Sequence, residues 1–137
     1  MQYWLIKSEP NVYSWEMLVQ EGSTCWSGVR NYQARNNLRL MRSGDLALHY
    51  HSNIGKEIVG IAAVVREAYP DPTADGDPNW VCVDIAPKQA FVRPVRLDEI
   101  KAEPRLQKME LLRQSRLSVV SVREDEFNLL CAMGQMA

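Results

Sequence analysis

The sequence predicts an α+β protein in which five or six strands form a curved sheet or small β-barrel, flanked by short helices. Three observations carry that prediction. MQYWLIK at the start alternates aromatic and aliphatic residues, as a half-buried strand does. EIVGIAAVVREAY, residues 57 to 69, is rich in the β-branched residues that pack well on a pleated surface. Between them Ala34, Leu38 and Met41 recur at i, i+4 and i+7, the spacing of one buried helix face.

The first strand stops at Ser8-Glu9-Pro10, because proline restricts the residue before it. Ser14 then caps a short helix, WEMLVQEG, with Glu16 in its first turn and Gly22 at its close. Asn31 is placed to cap a second helix, which the apolar spacing carries as far as Gly44. DLALHYHSN reads as a strand running into a loop at Asn53 to Lys56, and the β-branched strand follows. PDPTADGDP, residues 70 to 78, holds three prolines, one glycine and three aspartates, so it is a surface loop. WVCVDIA and AFVRPV supply two further strands, with Pro94 marking an edge or an end. A short helix from Leu97 to Ala102, a helical turn from Met109 to Arg113, a strand at LSVVSV and a closing helix from Glu124 to Ala132 complete the series. At 137 residues the chain reads as a single domain, residues 1 to 137, long enough to bury about two thirds of its unfolded surface.

A formal charge of -1, with 46% hydrophobic and 24% charged residues, excludes a disordered chain and a membrane-embedded helical one. The longest uncharged apolar run, IVGIAAVV, falls well short of the roughly 20 residues a bilayer span needs. Lys7, Glu9 and Pro10 interrupt any secretion signal early, so the expected location is the cytoplasm, or the nucleus in a cell that has one. Three widely spaced cysteines, Cys25, Cys82 and Cys131, support neither a disulfide framework nor a CxxC metal knuckle.

The most informative window is WSGVRNYQARNN, residues 26 to 37, which has two arginines, three asparagines, two aromatics and no acid. Arg35, Arg39 and Arg42 each follow an apolar position by one, forming a basic stripe about 100° around the helix from the buried one. Such a stripe is usually a solvated face. Here it uses arginine alone, whose planar fork suits phosphate and stacking contacts, and it is interleaved with Trp26, Tyr32 and amides that suit bases. An acid-balanced chain with one local basic patch argues for a local nucleic-acid contact, not for coating a duplex. Trp4 and Trp15 read as core; Trp26 suits a pocket wall as well as it suits core packing, and Trp80 stays open between the two.

Enzyme motifs fail one by one. His51 and Ser52 are adjacent on a strand and point to opposite faces, and there is no GxSxG elbow. Two histidines two positions apart with scattered cysteines do not supply the three or four ligands of a zinc site. Asn53-Ile-Gly-Lys56 is not a phosphate loop, since Tyr50 stands where its first glycine belongs and no Ser or Thr follows Lys56. No catalytic residue, metal or cofactor is expected.

YWLIKSEP at 3 to 10, WSGVRNYQARNNLR at 26 to 39, GDLALHYHSN at 44 to 53, GIAAVVREAYPDPTA at 60 to 74 and LLRQSRLSVVSV at 111 to 122 resemble the EVE domain family, in order and over nearly the whole chain. The resemblance implies a PUA-like fold, shared with ASCH and YTH domains, and recognition of a modified base, with modified cytosine in DNA the leading candidate and RNA the other. The parallel with YTH readers of methylated adenine, at Lys7-Ser8 and Trp26-Ser27, implies that Trp26 stacks on an extruded base while Ser8 and groups near it read its edge. Glu9, Asn31 and Tyr32 would be the EVE-specific neighbours, and His51, Ser52 and Asn53 of the GDLALHYHSN string complete the expected pocket. Arg30, Arg35 and Arg39 would hold the flanking phosphates. YTH pockets add a further tryptophan from a later loop, for which Trp80 is the candidate, so the adenine preference does not carry over.

The expected protein is thus a noncatalytic nucleic-acid-binding module, monomeric by default and independent of membranes. Two rival readings stand beside it. One is an enzyme acting on a nucleotide or small metabolite through Glu9, His51 or Cys25; the other is a protein-interaction module docking an acidic partner on the arginine stripe.

Overall fold

The computed structural model describes residues 1–135. Six strands, β1 (Tyr3–Ser8), β2 (Thr24–Cys25), β3 (Leu46–His51), β4 (Glu57–Pro70), β5 (Val81–Arg96) and β6 (Val119–Val122), pair in the order β2-β5-β4-β3-β1-β6. β1 runs parallel to β3, with Ser8 opposite His51, and every other neighbour is antiparallel. Five helices flank the sheet: α1 (Trp15–Glu21), α2 (Tyr32–Leu40), α3 (Leu97–Ala102), α4 (Glu110–Arg113) and α5 (Glu124–Gln135), with one 3-10 turn at Pro104–Leu106. The fold class is α+β, as the patterning predicts. Among the described residues no helix is long and apolar enough to cross a membrane.

Local chemistry sets the helix starts. The Ser14 side chain accepts from the Met17 amide and Asn31 accepts from the Ala34 amide, so each N-cap satisfies a donor the helix leaves free. Gly22 closes α1 in the left-handed conformation, at φ 79°, which a residue without Cβ adopts freely. The end of α2 differs from expectation. The helix stops at Leu40, because Met41 takes an extended conformation (φ -66°, ψ 140°) while its side chain stays fully buried. Apolar spacing fixed which side chains go inward, yet not where the backbone stops being helical, and Arg42 therefore lies off the helix.

The predicted pair of strands at WVCVDIA and AFVRPV is one strand, β5. It keeps Pro87 and Pro94 by bulging: between the pairs Gly60↔Ala90 and Ile58↔Val95, β4 spends one residue and β5 spends four, and Pro94 is among those four. The two-residue β2 was not foreseen. It pairs Thr24 with Ile85 and Cys25 with Asp84, and so fixes the segment that leads to Trp26.

The core lies between the sheet and its helices, and includes Trp4, Leu5, Leu38, Met41, Leu48 and Ile85. Trp4 is 1% exposed, and its indole N–H donates to buried Asp45 at 3.1 Å, which gives the one polar atom of that ring a partner. Trp15 is also core, and Gly60 makes that possible: a Cβ there would sit 2.7 Å from the Trp15 ring.

Candidate functional site

A cavity of about 460 Å³ opens where the end of β1 meets the segment from β2 to the start of α2. Its size falls within the usual range for small-ligand sites, about 300–1,000 Å³. Lys7, Ser8 and Glu9 form one side, and Trp26, Ser27 and Asn31 the other, with Arg30 at the rim. Val12, Tyr13 and Val29 add apolar surface. Residues from two distant strings of the sequence, KSE and WSGVRN, are therefore brought face to face.

The first wall is held by main-chain bonds. The Lys7 amide donates to the Ser118 carbonyl of the segment entering β6, and the Ser52 amide donates to the Ser8 carbonyl. After Pro10 the chain turns back, with the Val12 and Tyr13 amides both donating to the Glu9 carbonyl. That turn places the Tyr13 carbonyl against Ser8.

The Ser8 hydroxyl lies 2.6 Å from the Tyr13 carbonyl oxygen and 2.7 Å from His49 Nε2. A carbonyl only accepts, so the single hydroxyl proton of Ser8 goes to Tyr13 and His49 must donate from Nε2. Any other assignment sets two acceptors against each other at 2.6 Å. What Ser8 keeps for a ligand is a lone pair. His49 is fully buried, and burial, aided by neighbouring His51, pushes its pKa down to about 3, so it stays neutral. The Nε2–H tautomer leaves Nδ1 as the acceptor, and this buried nitrogen has no hydrogen-bond partner among the described residues.

Trp26 resolves its two readings by satisfying both. It is 7% exposed and part of the core cluster, and it also lines the cavity. Its amide donates to the Val83 carbonyl of β5 at 2.7 Å. Tyr13 and His49 meet its ring at 86° and 89°, edge to face, so neither stacks parallel on it.

The turn that follows is tied down by the loop expected to be mere surface. Gly28 is left-handed, at φ 84°. Its amide donates to the Asp71 carboxylate at 2.8 Å, and Arg30 donates to the same oxygen at 3.0 Å. Thr73 supplies two further donors, its amide and hydroxyl, to the other oxygen. Burial alone would raise the Asp71 pKa, but these donors outweigh it and hold the carboxyl down at about 2.

Four residues expected in the pocket lie elsewhere. Tyr32 begins α2 facing outward, 62% exposed, and stacks on Trp80 with ring centroids 5.1 Å apart. His51 is buried behind the cavity, where Nε2 accepts from the Trp15 amide at 3.0 Å. Ser52 and Asn53 line an adjoining groove, and Asn53 donates to the Glu9 carboxylate at 3.1 Å. For His51 and Tyr32 the cause is strand or helix geometry: β3 carries its histidines inward, and the Asn31 cap turns the chain so that Tyr32 leaves the cavity.

The three arginines also part company. Arg30 is paired with Asp71 and donates to Thr73. Arg35 bonds Asn36 and the Asn79 carbonyl, with its guanidinium 4.8 Å over the Tyr32 ring and 5.9 Å from that of Trp80. Trp80 thus completes an exposed stack beside α2 and does not line the cavity. Arg39 is exposed near the C-terminal end of α2. Sequence reasoning missed Tyr13, His49 and Asp71. Only His49 left a signal, since it shares a strand face with His51 two positions on.

Among the described residues no group of three or more His, Cys, Asp or Glu side chains converges as a metal site would. Cys25 lines the cavity as a free thiol.

The EVE domain model matches residues 2–133. Mouse thymocyte nuclear protein 1 is 35% identical over 96% of this chain and 73% of its own length. A crystal structure of an Agrobacterium tumefaciens protein is 49% identical and superposes with a TM-score of 0.96 over 98% of this chain and 93% of that one. The crystal structure of human thymocyte nuclear protein 1 in complex with DNA containing 5-methylcytosine is 34% identical, with a TM-score of 0.90 over 98% of each chain. With the family model spanning nearly its whole length and the same fold in relatives from bacteria to mammals, the chain belongs to the EVE domain family.

Proposed function

We propose that this protein is a noncatalytic reader of modified cytosine in DNA, which takes the extruded base into the cavity beside Trp26. The observation that carries the reading is the Ser8 hydroxyl, locked by Tyr13 and His49 so that only an acceptor faces the cavity that Trp26 lines. Cytosine presents an exocyclic amine, a donor, and an acceptor is what reads it. Glu9 at the rim adds a second acceptor. Human thymocyte nuclear protein 1, crystallised with 5-methylcytosine DNA, supports the same ligand class.

The energies are compatible. Extruding a base costs a few kcal/mol, and stacking on one aromatic returns about 1–3 kcal/mol. Trp26 therefore roughly offsets extrusion, and discrimination falls to smaller contacts. Burying one methyl against Val12, Tyr13 or Val29 contributes about 0.8 kcal/mol, about fourfold in affinity. Of the residues of the rival enzyme reading, Glu9 and Cys25 line the cavity, whereas His51 does not and is committed to the Trp15 amide.

The test is titration of duplexes carrying a single 5-methylcytosine, and their unmodified counterparts, against the wild type and Trp26→Phe. Phenylalanine keeps most of the apolar wall and offers a smaller stacking face. We expect about a fourfold wild-type preference for the modified strand and weaker binding of both duplexes by the variant. A 2-aminopurine placed beside the modified base should brighten as its neighbour leaves the stack. Equal wild-type affinity for both duplexes overturns the reading.

A further inference from the structure

The cavity is not the end of the concave surface. A second groove of about 380 Å³ runs from Lys7 along the β3–β4 turn to α3 and α4, and a third hollow of about 400 Å³ continues it past Asn53, Lys56, Leu97 and Lys101. Lys7 lines both the cavity and the groove, so the two are neighbours that share that side chain as a border.

Three of the five lysines in the chain, Lys7, Lys56 and Lys101, border this groove, and no Asp or Glu does. The one acid of the continuing hollow, Asp98, lies 3.5 Å from Arg96, which lines the same hollow and neutralises it. Lys56 and Lys101 are exposed, and among the described residues neither forms a salt bridge. Lys7 is half-buried, with Nζ donating to the Ser115 carbonyl at 2.8 Å, which points its charge along the groove wall. In a chain with a formal charge of -1 this is a concentrated, uncompensated positive strip.

The arginines on α2 and just before it offer no such strip. Arg30 is neutralised by Asp71, and Arg35 is spent on Asn36, Asn79 and the Tyr32 ring, which leaves Arg39 as a single exposed charge. Lysine suits a phosphate contact that gives position without geometry, because its ammonium is a flexible point charge.

We propose that the lysine groove is a phosphate-backbone channel, in which Lys56 and Lys101 hold the DNA strand as it leaves the base cavity past Lys7. The proposal rests on the base-reading function and assigns the strand a path, away from α2.

The experiment is the salt dependence of binding to the 5-methylcytosine duplex by wild type, the Lys56→Gln/Lys101→Gln double variant and an Arg35→Gln/Arg39→Gln control. Each phosphate contact on duplex DNA contributes about 0.9 to the slope of log K against log salt. The lysine variant should lose about 1.8 from that slope, about a twelvefold difference in the affinity lost between 50 and 200 mM salt, while keeping the wild-type ratio of modified to unmodified binding. The arginine control should change the slope less. An unchanged slope in the lysine variant, with the modification preference intact, overturns the channel alone. A wild type without preference overturns the base reading, and the slope then still reports whether Lys56 and Lys101 meet phosphate. A larger slope loss in the arginine control places the strand on α2 and overturns the channel.

Discussion

Trp26 and Tyr32 stand six positions apart in one basic, amide-rich stretch, and the structure sends them to opposite fates. Trp26 follows a strand, bonds β5 through its amide and becomes at once core and cavity wall. Tyr32 follows a helix cap and joins Trp80 and Arg35 in a stack on the outside. The two have the same chemistry and are separated by Gly28 and Asn31, one supplying a left-handed turn and the other an N-cap. Composition identifies groups able to meet a nucleic acid; whether they are free to do so depends on which partners inside the protein already occupy them.

The largest effect that would break this comparison is on stability. Trp26→Ala removes a buried ring from the core and should cost about 3–5 kcal/mol, measured by denaturant unfolding. A loss below about 1 kcal/mol would mean that Trp26 is held as loosely as Tyr32 and that the two are not different in kind. Because Ala risks unfolding the chain, the binding test above uses Phe.

Much of this division could be read from residues, and the rest could not for a definable reason. Ser14, Gly22 and Asn31 act on neighbours within four positions, so their roles appear in the sequence directly. The KSE and WSG strings were matched to a base pocket through family resemblance, and the fold does place them on one cavity. Asp71 organises the turn at Gly28 from 43 positions away, and a Pro-rich, Asp-rich loop carries no mark of such a partner. Lys7, Lys56 and Lys101 are likewise scattered along the chain and meet only through the β1–β3 pairing and the β3–β4 turn. Strand alternation gives His49 and His51 the same face, and only the packing shows that it is His49 that reaches Ser8.

A smaller effect sharpens the buried side of the comparison. His49 is held neutral by burial, with a pKa near 3, whereas an unfolded chain protonates it near 6.5. Between those values the unfolded state binds the extra proton, so stability is complete above about pH 6.5 and falls as pH drops below it, by about 1.4 kcal/mol per unit for this one group. His51 is also lowered by burial and adds in the same direction. His49→Gln should therefore remove about 1.4 kcal/mol per unit from the wild-type slope of unfolding free energy between about pH 6 and 4.5. Equal slopes would show that His49 is charged in the fold and that burial does not hold it neutral; Nε2 would still donate to Ser8, and the change would fall on the buried Nδ1, which would become a donor.

The smallest effect belongs to the exposed side, and it is the one that decides whether the division is functional or only structural. Tyr32→Ala should cost about 0.5–1 kcal/mol, the worth of an exposed aromatic and cation–π stack, and should leave the preference for 5-methylcytosine within twofold of wild type. The reason is geometric: Tyr32 and Trp80 already cover one another, and Arg35 lies over Tyr32, so a base reaching that surface would have to displace a contact of similar strength. If Tyr32→Ala instead abolished the preference while the fold stayed intact, the stack would have to open on binding and supply a second aromatic surface for the base. The site would then run from Trp26 around the Asn31 cap to Trp80, and what looks like two regions would be one.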